Sequence, residues 1–148
     1  MGSMKEPQAS REMTRAEVIG LLRRHGITPT QQRVEIGRVL FARTQHVSAE
    51  DVLARVGDQG SPVSKATVYN TLGLFADKGL LREVVVDPTR RFYDTNLEPH
   101  HHIYYTDTGE LQDIVIDGLR LGHVPQLPED AEVEGVDVII RARRQPNR

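Results

Sequence analysis

Residues 64–94, SKATVYNTLGLFADKGLLREVVVDPTRRFYD, change their periodicity partway along, and this change decides the fold of the N-terminal part. The first half has apolar residues at helical spacing between a capping residue, Ser64, and a stop signal, Gly79. The second half, residues 80–94, is rich in β-branched side chains and contains a turn at Asp87-Pro88-Thr89. A helix followed by a β-hairpin is the order found in a winged helix-turn-helix.

Capping signals predict three more helices before this stretch. They cover about residues 14–26, 30–43 and 48–57, and begin at Thr14 with Glu17, at Thr30, and at Ser48 with Asp51. Each helix has apolar residues on one face, which we expect to form the core of a four-helix unit. The residues predicted to face this core are Val18, Leu21, Leu22, Val34, Val39, Leu40, Val52, Leu53, Val56, Val68, Leu72 and Phe75.

The C-terminal part has a different character. Its sequence predicts two strands over His102–Thr106 and Glu110–Ile116 and a last strand over Val136–Ala142. Between them lie a short segment around residues 118–122, for which a helix is the only regular structure indicated, and a loop over residues 124–128. A core of this size is too small to be stable alone, so we expect a second subunit to complete it.

The predicted fold class is therefore α+β, with an N-terminal winged helix-turn-helix followed by a small antiparallel α/β dimerisation domain. Residues 1–13 are expected to be a cloning remnant and a flexible N-terminus. Residues 14–95 are predicted to be the winged-helix DNA-binding domain, and residues 96–144 the dimerisation and metal-sensing domain. Residues 145–148 are predicted to be a frayed tail.

The composition limits the chemistry. Among the 148 residues there is no cysteine, which excludes disulfides, thiolate catalysis, iron–sulfur clusters and cysteine-bound zinc. No apolar run approaches the roughly 20 residues of a membrane-spanning helix, so we expect no membrane partner. The start of the chain has no apolar segment of a signal peptide, which predicts a cytoplasmic protein. Any metal must be bound by imidazole and carboxylate.

The helix after Ser64 has the pattern of a DNA-recognition helix. Its apolar residues take the core face, which leaves Lys65, Tyr69 and Asn70 free to reach a groove. An ordinary surface helix, or a winged helix that binds protein, has the same pattern and remains an alternative. The residues predicted to contact double-stranded DNA are Ser64, Lys65, Thr67, Tyr69 and Asn70, with Arg90 and Arg91 on the wing.

The run Pro99-His100-His101-His102 carries the strongest chemical signal. In a strand, His100 and His102 share a face and His101 points away. Two imidazoles form half of a first-row metal site and need further ligands, for which Asp94, Asp113 and His46 are candidates. The alternatives are a solvated polar turn and a mononuclear non-haem iron enzyme that uses His100, His102 and one Asp. The predicted metal ligands are His46, Asp94, His100, His102 and Asp113.

With these residues assembled, the chain resembles the ferric uptake regulator superfamily over about residues 14–144. The matching segments are residues 26–30 with Arg33, 46–52, 66–69, the hairpin that ends at Asp94, the histidine run, and 109–114. The resemblance is strongest to the iron response regulator branch. It implies a DNA-binding transcriptional regulator of iron-homeostasis genes, mainly a repressor, that acts as a homodimer. It also adds Arg33 to the candidate DNA contacts.

The resemblance further implies one divalent metal per subunit at the interface of the two domains. The ion would be Fe²⁺ or Mn²⁺ in the cell and Zn²⁺ in some purified samples, and binding would set the DNA-binding conformation. Haem is the alternative effector, with His100, His101 and His102 as candidate ligands. The family's Cys-x-x-Cys positions are Tyr105 and Thr108, so no structural zinc held by four cysteines is expected. A metal-stabilised scaffold for protein partners remains a further alternative.

Overall fold

The structure of the protein, a computed structural model, describes residues 12–60, 62–98, 100–114 and 125–145. The chain divides into two compact units, which comprise residues 1–97 and 98–148. The first unit contains α1 (Arg15–Arg24), α2 (Gln31–Leu40), β1 (His46–Val47), α3 (Ala49–Asp58), α4 (Lys65–Asp77), β2 (Arg82–Asp87) and β3 (Arg90–Asp94). The second contains β4 (His101–Tyr105), β5 (Leu111–Ile114) and β6 (Ile139–Ala142).

The four helices begin at the capping residues that the sequence predicts. Thr14, Thr30, Ser48 and Ser64 each accept a hydrogen bond from the backbone N–H three residues later, which satisfies a donor that the first turn leaves unpaired. At Ser48 the carboxylate of Asp51 also accepts from the Ser48 N–H, and this completes a capping box. Local hydrogen bonding therefore sets where each helix starts.

Three helices end at a glycine in the left-handed region. Gly26 (φ 72°) follows α1, Gly60 (φ 78°) follows α3 and Gly79 (φ 81°) follows α4. After α1 and α4 the next N–H, that of Ile27 or Leu80, donates to a carbonyl five residues back at 2.9 Å. By contrast, α2 ends at Leu40, three residues before the predicted Arg43. There the side-chain amide of Gln45 donates to the carbonyls of Val39 and Leu40 and caps the helix early.

The apolar faces of the helices meet in one core within residues 1–97. Phe75 lies at its centre and stacks on Phe41, with ring centroids 6.1 Å apart. Two of the predicted core residues, Leu21 and Leu53, are only half-buried and pack against this core from its edge. The fully buried side chains include Val18, Leu22, Val34, Leu40, Val52, Val56, Val68, Leu72 and Phe75.

Each unit contains a three-stranded sheet. In the first, the order is β1-β3-β2 with antiparallel pairing, and β2 and β3 form the predicted wing. The two-residue strand β1 was not predicted. In the second, the order is β5-β4-β6, and β6 runs parallel to β4 while β5 is antiparallel, so this sheet is mixed. The structure thus confirms the α+β class with a winged helix, and adds a parallel pair to the sheet that was expected to be antiparallel.

The last strand is shorter than predicted. It covers Ile139–Ala142 instead of Val136–Ala142, because the N–H of Val138 donates to Nδ1 of His101 and leaves the strand ladder. The ends of the second predicted strand at residues 115–116, and the short segment around residues 118–122, lie outside the described residues.

Gly37 provides a test of the packing between α1 and α2. A Cβ at this buried position would lie 2.7 Å from Cγ1 of Val18. We therefore expect Gly37→Ala to lower the free energy of unfolding in urea by about 1–3 kcal/mol, as overpacked cores do. Gly57→Ala in α3 is the control, because nothing lies within 4 Å of its added Cβ. It should raise stability by about 0.5–1 kcal/mol. Equal stability of the two variants would contradict the described packing.

Candidate metal centre and nucleic-acid interface

Strand pairing in the second unit brings two histidines and one aspartate together. His102 on β4 lies opposite Asp113 on β5 in the antiparallel register. The Nε2 atoms of His102 and His100 lie 3.2 Å and 3.5 Å from Oδ1 of Asp113. Both rings are buried, with 4% and 9% of their surface exposed. The ligand atoms of all three side chains lie within 4.8 Å of one another.

The ring of His100 is oriented by its other nitrogen. Nδ1 lies 2.5 Å from the carbonyl oxygen of Glu98, and a carbonyl can only accept, so Nδ1 carries the proton. The lone pair is then on Nε2, which faces Asp113. A hydrogen bond from the distal nitrogen to a carbonyl is the usual way in which proteins orient a metal-binding imidazole.

This donor set fits a divalent first-row metal. Imidazole nitrogen and carboxylate oxygen are ligands of Fe²⁺, Mn²⁺ and Zn²⁺. Ligand atoms bound at about 2.1 Å to one ion are about 3.0–3.4 Å apart. The distances from Asp113 to the two imidazoles are close to that range, so only small movements would be needed to bind an ion.

The other two predicted ligands face each other within the first unit. His46 on β1 is the register partner of Asp94 on β3. The next pair along, Gln45 and Thr95, exchanges hydrogen bonds, so His46 and Asp94 form a non-hydrogen-bonded pair whose side chains share a face. Asp94 is fully buried and its Oδ1 accepts from the N–H of Asn96 at 2.8 Å.

Gln45 holds β1 in place, a role that no pattern in the sequence indicates. Its amide nitrogen donates to the end of α2, and its Oε1 accepts from the guanidinium of Arg55 on α3 at 2.6 Å. Its backbone pairs with Thr95 after β3. Gln45, the residue before His46, is therefore linked to α2 and α3 by its side chain and to the end of β3 by its backbone. Only its position next to a predicted ligand could have suggested that it matters.

The predicted recognition helix, α4, presents most of the predicted residues to solvent. Lys65, Tyr69 and Asn70 are exposed, while the opposite face packs in the core. The hydroxyl groups of Ser64 and Thr67 lie 2.9 Å apart and bond to each other, and Ser64 also accepts from the Thr67 N–H. These two hydroxyls close the N-terminus of the helix.

The wing carries the two predicted arginines on its exposed surface. Arg90 and Arg91 begin β3, and the turn before them is held by the Asp87 carboxylate, which accepts from the N–H and the hydroxyl of Thr89. Arg91 pairs with Glu83 across the wing at 3.2 Å. Arg33 on α2 donates to the carbonyl of Thr28 at 2.9 Å.

Glu50 contacts the predicted recognition residue Tyr69. The Tyr69 hydroxyl donates to Oε1 of Glu50, in the first turn of α3, at 2.5 Å. This hydrogen bond lowers the pKa of Glu50 and raises the pKa of Tyr69. The two side chains line a cleft of about 500 Å³ whose other wall is the wing, including Arg90 and Arg91. The sequence reasoning missed Glu50, because nothing in its local pattern links it to a residue on another helix.

Arg144, after β6, contacts Tyr105 and the β4–β5 turn, which contains Thr108. The guanidinium of Arg144 lies 4.1 Å from the ring centroid of Tyr105 and 2.8 Å from the Glu110 carboxylate. Its backbone N–H donates to Asp107, and the Thr108 hydroxyl accepts from the N–H of Glu110. A cation–π contact and an ion pair thus connect the strands near positions 105 and 108, where the family has its Cys-x-x-Cys pair.

Comparison with known proteins places the chain in a family. The sequence profile of the Ferric uptake regulator family matches residues 24–135. The peroxide-responsive repressor PerR of Staphylococcus epidermidis is 31% identical over 113 residues, which are 76% of this chain and 70% of that protein. The ferric uptake regulation protein of Synechococcus elongatus is 38% identical over 94 residues, or 61% of this chain and 64% of its own length.

Solved structures agree with this assignment. The ferric uptake regulator of Francisella tularensis, solved with iron, is 25% identical with a TM-score of 0.68, over 81% of this chain and 93% of that one. The Vibrio cholerae regulator has the same TM-score at 20% identity, over 85% of this chain and 98% of its own, and supports the fold alone.

The fold, the donor set and these likenesses define a metal-responsive, DNA-binding transcription regulator. The chain belongs to the Ferric uptake regulator family. Members of this family are dimeric DNA-binding regulators and not enzymes, so the non-haem iron enzyme is no longer an alternative. In the described part of the chain, no helix combines the length and the apolar character that crossing a bilayer requires.

Arg144→Ala tests the contact that links β6 to the β4–β5 turn. We expect faster amide hydrogen exchange at Thr106, whose N–H donates to the carbonyl of Ala142 on β6 at 2.9 Å. Arg143→Ala removes the same charge one residue earlier and should leave this exchange unchanged. Exchange at Thr106 that is as slow in Arg144→Ala as in the wild type would show that strand pairing alone holds β6.

Proposed function

We propose that the protein is a homodimeric repressor of iron-homeostasis genes and that one divalent metal ion per subunit sets its affinity for DNA. The observation that carries the proposal is the cluster of His100, His102 and Asp113, whose ligand atoms lie within 4.8 Å of one another and in which both imidazoles are buried. Burial of two imidazole rings beside a carboxylate is costly unless a ligand or a proton satisfies their polar atoms. A bound divalent ion supplies that balance.

Five ligands are proposed for this ion: His46, Asp94, His100, His102 and Asp113. The last three are assembled by β4 and β5, and the first two face each other on β1 and β3. An ion bound by all five would tie residues 1–97 to residues 98–148. Binding would then select one arrangement of the DNA-binding unit, which is what a metal switch requires. Mixed imidazole and carboxylate donors favour Fe²⁺ or Mn²⁺, and Zn²⁺ would also bind in purified samples.

The proposed DNA contacts lie on α4 and on the wing. Tyr69 and Asn70 would read base edges in the major groove, and Lys65 would contact phosphate. Arg90 and Arg91 would contact the backbone or the minor groove, and Arg33 the backbone next to α4. Ser64 and Thr67, at the N-terminus of α4, would lie against a phosphate.

Dimerisation is proposed to occur through the second unit. Among the described strands, β6 lies at the edge of the sheet, and Ile140 on it is 41% exposed. Val133 and Val136, before β6, are also about half exposed. Such apolar surface beside a strand at the edge of the described sheet favours burial against a partner. Two copies would place two recognition helices on one DNA duplex.

The relatives support the regulatory role and the choice of metals. Two similar proteins are a peroxide-responsive repressor and a ferric uptake regulation protein, and one similar structure was solved with iron. The assignment to the iron response regulator branch rests on the sequence: a cysteine-free chain with three adjacent histidines.

His102→Ala tests the metal site. We expect its affinity for Mn²⁺ to fall by at least about 100-fold, because a ligand is lost, and the metal-dependent increase in DNA affinity to disappear. The DNA is a duplex that the Mn²⁺-loaded wild type selects from a random-sequence pool, and affinity is measured by fluorescence anisotropy. His25→Ala is the control. It also removes one imidazole, but His25 is not a proposed ligand and its Nδ1 lies 2.9 Å from the carbonyl of Leu21 at the end of α1.

The outcomes separate the candidate functions. If Mn²⁺, Fe²⁺ and Zn²⁺ all leave the DNA affinity of the wild type unchanged, the switch proposal is wrong. If no duplex is enriched from the pool under any metal condition, the protein does not read DNA, and the scaffold for protein partners becomes the better explanation.

Haem binding is proposed to depend on His101. His100 and His102 are turned towards Asp113, whereas His101 contacts the Val138 N–H through Nδ1 at 3.3 Å. Because Nδ1 accepts this hydrogen bond, the proton is on Nε2, so binding haem iron through Nε2 would require the ring to give up this contact and change tautomer. We expect a Soret shift when haemin is added to the metal-free protein, and loss of that shift in His101→Ala but not in His25→Ala. A shift that persists unchanged in His101→Ala would assign haem to another residue.

A further inference from the structure

We infer that Glu50 is a specificity-determining residue that acts through Tyr69: it orients the aromatic ring for the correct base and lowers the affinity for DNA of any sequence. It accepts the proton of the Tyr69 hydroxyl, so Tyr69 meets DNA through its ring and not as a hydrogen-bond donor, and it places a negative charge within a basic surface. This inference rests on the proposed DNA-binding function and names a residue that neither the sequence motifs nor the candidate DNA contacts include.

The hydrogen bond between the two side chains fixes the orientation of Tyr69. Tyr69 is 40% exposed, so without a partner its ring would be free to change rotamer. Its hydroxyl donates to Glu50 on α3, an element that packs in the core through Val52 and Val56. A rigid helix thus holds the far end of a surface side chain. An exposed ring held in one rotamer loses less conformational entropy when it contacts DNA.

The same hydrogen bond determines which part of Tyr69 can contact a base. The hydroxyl has one proton, and Glu50 accepts it. Tyr69 can therefore not donate to a base, although its oxygen can still accept. The ring edge and face suit an apolar contact with the methyl group of thymine. Lys65, one turn earlier on α4, has its ammonium over the ring of Tyr69, 5.8 Å from the centroid.

The charge of Glu50 is unfavourable for DNA affinity alone. The hydrogen bond from Tyr69 lowers the pKa of Glu50, so the carboxylate is ionised at neutral pH. It lines the cleft between α4 and the wing together with Arg90 and Arg91, where a DNA backbone would pass. A negative charge there weakens every phosphate contact, whatever the base sequence. The gain must therefore lie in discrimination, because an oriented ring adds affinity only where the base is correct.

Four variants of the full-length, Mn²⁺-loaded protein separate the orientation of the Tyr69 ring from the negative charge of Glu50. They are Glu50→Gln, Glu50→Ala, Tyr69→Phe and the double variant Glu50→Ala/Tyr69→Phe. The probes are the duplex that the wild type selects from a random pool and a scrambled duplex of equal length and composition. Glu17→Gln is the matched control, because Glu17 occupies the first turn of α1 as Glu50 occupies that of α3. Thermal unfolding of each variant checks the fold.

Glu50→Gln keeps an oxygen that accepts from Tyr69 but loses the charge. We expect its affinity for the scrambled duplex to rise about three- to tenfold, with a similar rise for the selected duplex, so that discrimination changes little. Glu50→Ala should gain the same affinity for the scrambled duplex but lose about three- to tenfold in the ratio of selected to scrambled affinity. Glu17→Gln should change neither quantity.

The double variant tests whether Glu50 acts through Tyr69. Tyr69→Phe should lower the ratio of selected to scrambled affinity in the wild-type background and have no further effect in Glu50→Ala. Additive losses would overturn the inference, and so would a Glu50→Gln variant with wild-type affinity for scrambled DNA. If the wild type enriches no duplex at all, the proposed function itself has failed. Enrichment by the wild type with additive losses rejects only the role of Glu50.

Discussion

Cross-strand pairing is the interaction on which both halves of the proposed metal centre depend. His102 is placed against Asp113 by the register of β4 and β5, and His46 against Asp94 by the register of β1 and β3. Because side chains alternate between the two faces of a strand, a slip of one residue in either pair would turn an imidazole away from its carboxylate. Within each unit, the strand ladders hold these paired ligands in position before any ion binds.

The sequence predicted those features that depend on local rules. Four helix starts were correct because a side chain hydrogen-bonds within its own first turn at Thr14, Thr30, Ser48 and Ser64. The pairing of His100 with His102 on one face followed from the two-residue repeat of a strand. These rules involve residues three or fewer positions apart, so they can be recognised without knowledge of the tertiary structure.

Features that depend on distant partners could not be predicted in this way. Strand β1 has only two residues and no periodicity of its own, and it exists because β3 pairs with it and Gln45 anchors it. The parallel pairing of β6 with β4 joins residues more than 30 positions apart. The contact of Glu50 with Tyr69 joins two helices, and neither helix carries a local signal for it.

Five of the side chains proposed to meet DNA already have hydrogen-bond or ion-pair partners within the protein. The hydroxyls of Ser64 and Thr67 bond to each other, Tyr69 to Glu50, Arg33 to Thr28 and Arg91 to Glu83. These contacts orient the side chains in advance, so binding costs less conformational entropy. They also mean that DNA must compete with an existing hydrogen bond or ion pair wherever it uses the same donor atom. A correctly placed phosphate or base edge can compensate for the lost internal contact, and a misplaced one cannot. Hydrogen bonds and ion pairs within a basic surface therefore favour selectivity over affinity.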